Sequence, residues 1–274
     1  MARAFVYRHL ACGFEDPTIE TWDYLASSAG SASLREAVTV LAAENPSLVD
    51  AARAFGERWA SEGFDEFQST YLAAFGHAAR GQCPMNEIEY GDLKADPLFQ
   101  PHRLADLAAF YRAFGLELTE DATERHDHLC LELEFMCVLA AKEAWAIEQA
   151  SSPLPSPPSD GAEGAIAAME PGLADHDHLG IVRDAQKKFL REHLGRWAPA
   201  FARRLHGLAG DSALGALAEL LRVFVESECR LFGVPAGSED LLLRPVDETT
   251  ESLCDSCGVH ARPPGALPPE PVET

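Results

Sequence analysis

The 274-residue chain carries 44 Asp and Glu against 22 Lys and Arg, a formal charge of −22 at pH 7 with histidine neutral. Such a field repels phosphate backbones and anionic lipid, so it argues against nucleic acid and membrane surfaces as partners and favours a cationic one, such as an arginine-bearing peptide; the plainer reading is that acidity keeps the chain soluble. Its length and 47% apolar content suit one large helical domain or two small ones, able to bury roughly 75% of the unfolded surface without a disulfide or metal staple.

The start, Met1 to Gly13, holds Arg3 and Arg8 but neither a long apolar core nor a cleavage site. No apolar run reaches the ~20 residues of a membrane span. The expectation is therefore a cytoplasmic protein with no signal peptide. Leu34, Val38 and Leu41 mark a first helix face, and Leu48, Ala52, Phe55 and Trp59 a second after Pro46. Phe64, Phe67, Tyr71 and Phe75 step by three and four, as a buried helix stripe does. A polar loop, Gly81 to Pro101, precedes Leu104, Leu107, Tyr111 and Phe114, with Gly115 as the helix stop. From Glu124 to Gln149 two apolar faces share one helix: Leu129, Leu133, Met136, Ala140 and Ala144 on one, and Leu131, Phe135, Val138, Leu139 and Trp145 on the other. A helix apolar on two sides belongs at the centre of its bundle.

Residues 151–158, SSPLPSPP, contain four prolines and cannot be helix interior. They predict a linker or crossover over 151–161. Phe189, Leu190, Leu194, Trp197, Phe201 and Leu205 then form a stripe that Pro199 should kink or split, and Leu214, Leu217, Leu221, Phe224 and Val225 a last helix to about Phe232. With no alternating strand pattern, the fold class is all-α: one bundle of roughly eight to ten helices over 1–234, followed by a loose, Pro-rich, acidic tail over 235–274.

Two words in the sequence carry a likeness. One is Cys83-Pro84-Met85-Asn86-Glu87-Ile88-Glu89-Tyr90-Gly91, and the other runs from Glu124-Arg125-His126-Asp127-His128-Leu129 to Glu134-Phe135-Met136. With Phe189–Leu194 and Arg196-Trp197-Ala198-Pro199 they resemble the TorD/DmsD/NarJ family of molybdoenzyme chaperones, in register from about Phe64 to Phe232. His126 stands where that family usually has proline. The resemblance implies a non-enzymatic helical bundle without a cofactor of its own. It also implies binding of an apo-molybdoenzyme catalytic subunit through a twin-arginine leader or N-terminal peptide until the molybdopterin cofactor is inserted. The identity of the client stays open, as does the choice between a monomer and a dimer swapped across the Pro-rich linker.

A physical reading of the same residues stands beside the resemblance. Asp127 and His128 fall at the start of the central helix, where a carboxylate is favoured by the dipole and can accept bonds from a guanidinium. His128 and Glu132 share a face, and Glu87 and Glu89 bracket Tyr90. If loop and helix start meet, Asp127, His128, Glu132, Glu87, Glu89 and Tyr90 form an acidic, aromatic-edged peptide site. The structural alternative makes Asp127 a helix cap, His128 a partner of a loop carbonyl, and Tyr90, Phe135 and Met136 core.

Two other chemistries compete. His126-Asp127-His128 and His176-Asp177-His178 suggest a metal-dependent HD-type phosphohydrolase, but residues i and i+2 point to different helix faces. Cys254, Cys257 and His260 have the spacing of a partial zinc site in the tail, which lacks a fourth ligand. The count of seven cysteines is odd, and most sit singly in helical patterns, as in a reducing compartment.

Overall fold

The computed structural model describes residues 1–41, 45–76, 81–91, 99–119, 122, 124–151 and 171–244. Among them the regular structure is α-helical throughout. The helices are α1 (Ala2–Phe14), α2 (Ile19–Ala26), α3 (Ser28–Leu41), α4 (Pro46–Ser61) and α5 (Phe64–Phe75), then α6 (Phe99–Ala113), α7 (Leu129–Ser151), α8 (Pro171–Glu192), α9 (Leu194–Ala209) and α10 (Ala213–Leu231). A single 3-10 turn, Glu87–Glu89, sits in the loop before α6. The residues of the Pro-rich segment beyond Ser151, and the tail cysteines with His260, lie outside the described residues.

The helix ends follow from local chemistry. Thr18 accepts the Thr21 N–H at the start of α2, and Ser212 accepts the Gly215 N–H at the start of α10. Pro46 opens α4, where its missing N–H costs nothing. Beyond α6, Gly115 has φ +76°, the conformation for which a glycine stop is needed.

The two-faced α7 lies at the centre, packed against α1, α8 and α9. Leu129, Leu133, Met136 and Ala140 are buried on its first face, and Phe135 and Leu139 on its second. Leu131 and Val138 remain half-exposed, and Trp145 is 54% exposed. The main partner of α7 besides α8 is α1, a helix that the spacing above did not single out. Val6, Tyr7, Leu10, Ala11 and Phe14 are all fully buried. Arg3, read above only for its bearing on a leader, is the hub of a polar cluster. Its guanidinium donates to Glu228 at 2.6–3.0 Å, to Glu143 at 2.5 Å and to Gln186 at 2.6 Å, joining α1 to α10, α7 and α8. Tyr7 adds a hydroxyl bond to Glu228 at 2.9 Å.

The chain does not break at Pro199. It breaks at His193, between α8 and α9, and Pro199 lies inside α9. Proline has no N–H to give the carbonyl four residues back. That carbonyl, on Gly195, instead accepts the N–H of Gly237 at 2.8 Å. The segment after α10 thus runs back across α9. Gly91 N–H then bonds the Leu242 carbonyl at 3.1 Å, and Tyr90 pairs with Leu243. The compact unit that contains these contacts runs from Met1 to Leu243. No helix among the described residues is long and apolar enough to cross a membrane.

Candidate functional site

The loop and the start of α7 do meet, and backbone bonds join them. Glu87 N–H donates to the Asp127 carbonyl at 2.9 Å, Leu129 N–H donates to the Met85 carbonyl at 2.8 Å, and Asn86 and His128 pair as an isolated antiparallel bridge. A short extended contact therefore carries both sequence words, and the six candidate residues lie on or beside it.

Most of the six are buried rather than displayed in an open cleft. Asp127 is fully buried. Its carboxylate does not cap α7: it accepts the Ile88 N–H and the Asn86 amide, both at 3.2 Å, and so pins the loop. The cap role falls to His128, whose Nδ1 accepts the Cys130 N–H at 3.3 Å, while Nε2 lies 3.6 Å from Glu124. Burial lowers the His128 pKa from its usual value against the pull of Glu124 and Asp127, so the ring is neutral near pH 7. Tyr90 is buried against Trp197 and donates its hydroxyl hydrogen to the Pro84 carbonyl at 2.9 Å. Glu89 is half-buried, 3.8 Å from Arg125.

Three buried carboxylates gather here, and each meets a different partner. Glu87 takes the guanidinium of Arg103 on one oxygen and His193 Nδ1 at 2.9 Å on the other. His193 is itself fully buried, with Nε2 3.4 Å from Asp106 but outside hydrogen-bonding geometry. Asp127 takes Arg125 on both oxygens, at 3.0 and 3.1 Å. Glu132 is fully buried and accepts the Trp197 indole N–H, 3.2 Å from each oxygen. Burial, with the Glu87 and Asp127 charges behind it, pushes the Glu132 carboxyl well above the usual carboxylate range, against the Trp197 N–H.

The partners Arg103 and His193 were not among the sequence candidates. The signal that finds them is elementary: a carboxylate predicted beside a central helix requires a cation or a proton. The HD-type grouping is not assembled at 126–128. The His126 ring stacks on Tyr111, Asp127 turns to the loop and His128 caps α7.

Tyr111 connects this junction to the surface. Its hydroxyl donates to the His126 carbonyl at 2.7 Å, next to Asp127. On its other side it lines a groove of about 310 Å³ along the second face of α7, floored by Leu131, Phe135 and Val138, walled by Leu116 and Leu118, and edged by Glu117, Glu134 and Arg8. Arg8 is bound to Glu134 at 2.5 Å.

Known proteins place the chain. The nitrate reductase delta subunit family model matches residues 35–203. The chain is 26% identical to a perchlorate reductase assembly chaperone protein of Dechloromonas aromatica (strain RCB) over 83% of its own length and 88% of the relative's. It is 31% identical to a selenate reductase assembly chaperone protein of Thauera selenatis, over 63% and 73% respectively. It is also 31% identical to a dimethyl sulfide dehydrogenase assembly chaperone protein of Rhodovulum sulfidophilum, over 66% and 72%. No solved structure matches it. With both words on one buried junction and the match spanning more than half its length, the chain belongs to the nitrate reductase delta subunit family, within the TorD/DmsD/NarJ group of assembly chaperones that its motifs resemble.

Proposed function

We propose that this protein is the system-specific assembly chaperone of a molybdopterin-dependent oxidoreductase. It acts in the cytoplasm by binding, without catalysis. It holds the leader or N-terminal segment of the apo catalytic subunit through cofactor insertion and before export. The apolar part of that segment lies in the groove along α7, and its arginine reaches the junction of Asp127, His128 and Glu89, with Glu87, Glu132 and Tyr90 supporting the junction from within.

The observation that carries this reading is the continuity through Tyr111. One side chain touches both the segment bearing the Asp-His word and an apolar groove with two acidic residues on its edge. Apolar floor and acidic edge suit a peptide that mixes arginine with apolar residues, and the net charge of −22 draws such a peptide in. The perchlorate, selenate and dimethyl sulfide enzymes named for the relatives support a client of the same class.

The test is a titration of the client's N-terminal peptide, identified by pull-down from the native host, onto the full chain. Asp127→Asn, His128→Ala and Val138→Glu should each weaken binding by about tenfold or more, equivalent to about 1.4 kcal/mol, while the helical circular-dichroism signal is kept. Unchanged affinity in all three variants removes this surface from the proposal. A pull-down that returns no molybdoenzyme subunit removes the function.

A further inference from the structure

We propose that Arg125 is a tethered competitor: it occupies the guanidinium site on Asp127 and is displaced there by an arginine of the client. This rests on the peptide-binding reading above and adds its regulation.

The three buried carboxylates of the junction differ in how their charge is met. Glu87 is served from inside, by Arg103 (side chain 15% exposed), which also donates to the Glu192 carbonyl, and by fully buried His193. Glu132 meets the buried Trp197 indole. Of the three, Asp127 draws its cation from the surface. The Arg125 side chain is 45% exposed, yet its fork makes two parallel bonds to a carboxylate that is 0% exposed. Such a pair is anchored at one end and open to solvent at the other.

Asp127 does not depend on Arg125 for its position. The Ile88 N–H and the Asn86 amide hold the same carboxylate, one on each oxygen. The acceptor geometry therefore persists when Arg125 swings out. Glu89, 3.8 Å from the Arg125 guanidinium, makes the vacated place more attractive to a cation. A guanidinium from another chain can make the same two bonds, whereas a lysine ammonium cannot match the fork. The internal pair thus selects for arginine and sets a threshold. The apparent affinity falls in proportion to the fraction of time that Arg125 leaves the site free.

The probes are two fluorescein-labelled synthetic peptides, one with two consecutive arginines followed by leucines and one with lysines in their place, titrated onto the full chain. Arg125→Ala should bind the arginine peptide about tenfold tighter than wild type, as expected if the site is free about a tenth of the time. Arg125→Lys, which keeps a cation but loses the fork, should fall between the two, and the lysine peptide should gain little in either variant. In a second measurement, millimolar methylguanidinium should raise the melting temperature of Arg125→Ala, and methylammonium should not. This readout involves no peptide. Equal or weaker arginine-peptide binding by both variants, with no methylguanidinium stabilisation, overturns the proposal and makes Arg125 a fixed anchor of the loop. Methylguanidinium stabilisation without peptide binding by any form upholds an exchangeable guanidinium site and overturns the peptide-binding reading instead.

Discussion

Replacing Glu132 by glutamine removes one titration and changes little else. The carboxyl is fully buried and accepts the Trp197 N–H; glutamine has nearly the same shape and keeps an oxygen for that bond. In the wild type, burial first and then the Glu87 and Asp127 charges hold the folded-state pKa well above the unfolded value of 4.5. Between those two pKa values the folded chain keeps a proton that the unfolded chain has released. Wild-type stability must therefore fall as pH rises through that window. Glutamine does not titrate, so its stability lacks this slope. Below pH 4.5 the stability difference between the two proteins should be constant, set by the new amide N–H₂ group alone. Above it the variant should gain on the wild type by up to about 1.4 kcal/mol per pH unit, or about 3–6 °C in melting temperature per unit. The gain should level off at the folded-state pKa, which the experiment thereby locates. Thermal melts of both proteins, followed by circular dichroism from about pH 4 to 9, record the difference. Groups not coupled to Glu132 cancel in the difference. A difference that is flat across this range, or that shrinks as pH rises, refutes the assignment of a buried, proton-holding Glu132.

Arg3→Met should cost about 3–5 kcal/mol at neutral pH, because it leaves Glu143 and Glu228 buried without their shared guanidinium. Urea unfolding at neutral pH checks this, and an unchanged midpoint would show that the cluster is not held through Arg3. Gly237→Ala drives a methyl group into the Arg196 carbonyl oxygen, so the segment must lift off α9 and leave the Gly195 carbonyl unpaired. The expected cost is about 1–3 kcal/mol, together with faster hydrogen exchange at Gly91, whose N–H bonds Leu242 further along the same segment; unchanged exchange at Gly91 would show that the segment is not held through Gly237.

The helices with wide apolar stripes were legible, and the reason is periodicity. The first face of α7, the Phe64–Phe75 stripe and the Gly115 stop appear as read, because burial on a helix face needs only local spacing, while the second face of α7 is buried only at Phe135 and Leu139 and the helix starts at Leu129 rather than Glu124. The first helix escaped for a different reason. Its stripe is as regular as the others, but the segment with Arg3 and Arg8 is read for a leader rather than for a helix face. The Arg3 partners Glu143 and Glu228 are 140 and 225 residues away, a pairing that no local pattern reveals. The break at His193 was hidden likewise. Pro199 is the obvious breaker, yet Gly237 satisfies the carbonyl that the proline strands, so α9 runs on. The helices part instead at His193, whose ring reaches Glu87, 106 residues back.

The site shows the same division more sharply. The sequence offers Glu87, Glu89, Asp127 and Glu132 as one site only on the condition that the loop meets the helix start, and the two do meet. It does not say which of these carboxylates face water, because acidic residues are surface residues by default. Glu87 is buried against Arg103 of α6 and His193 at the helix break, and Glu132 against Trp197 of α9, whereas Asp127 meets Arg125, Asn86 and the Ile88 N–H. Arg125 is the instructive case. It stands two residues from Asp127 inside the recognised word, and its residue type alone fits either a ligand-like guanidinium or a permanent partner. Only its exposure, set against the complete burial of Asp127, distinguishes a replaceable cation from a fixed one.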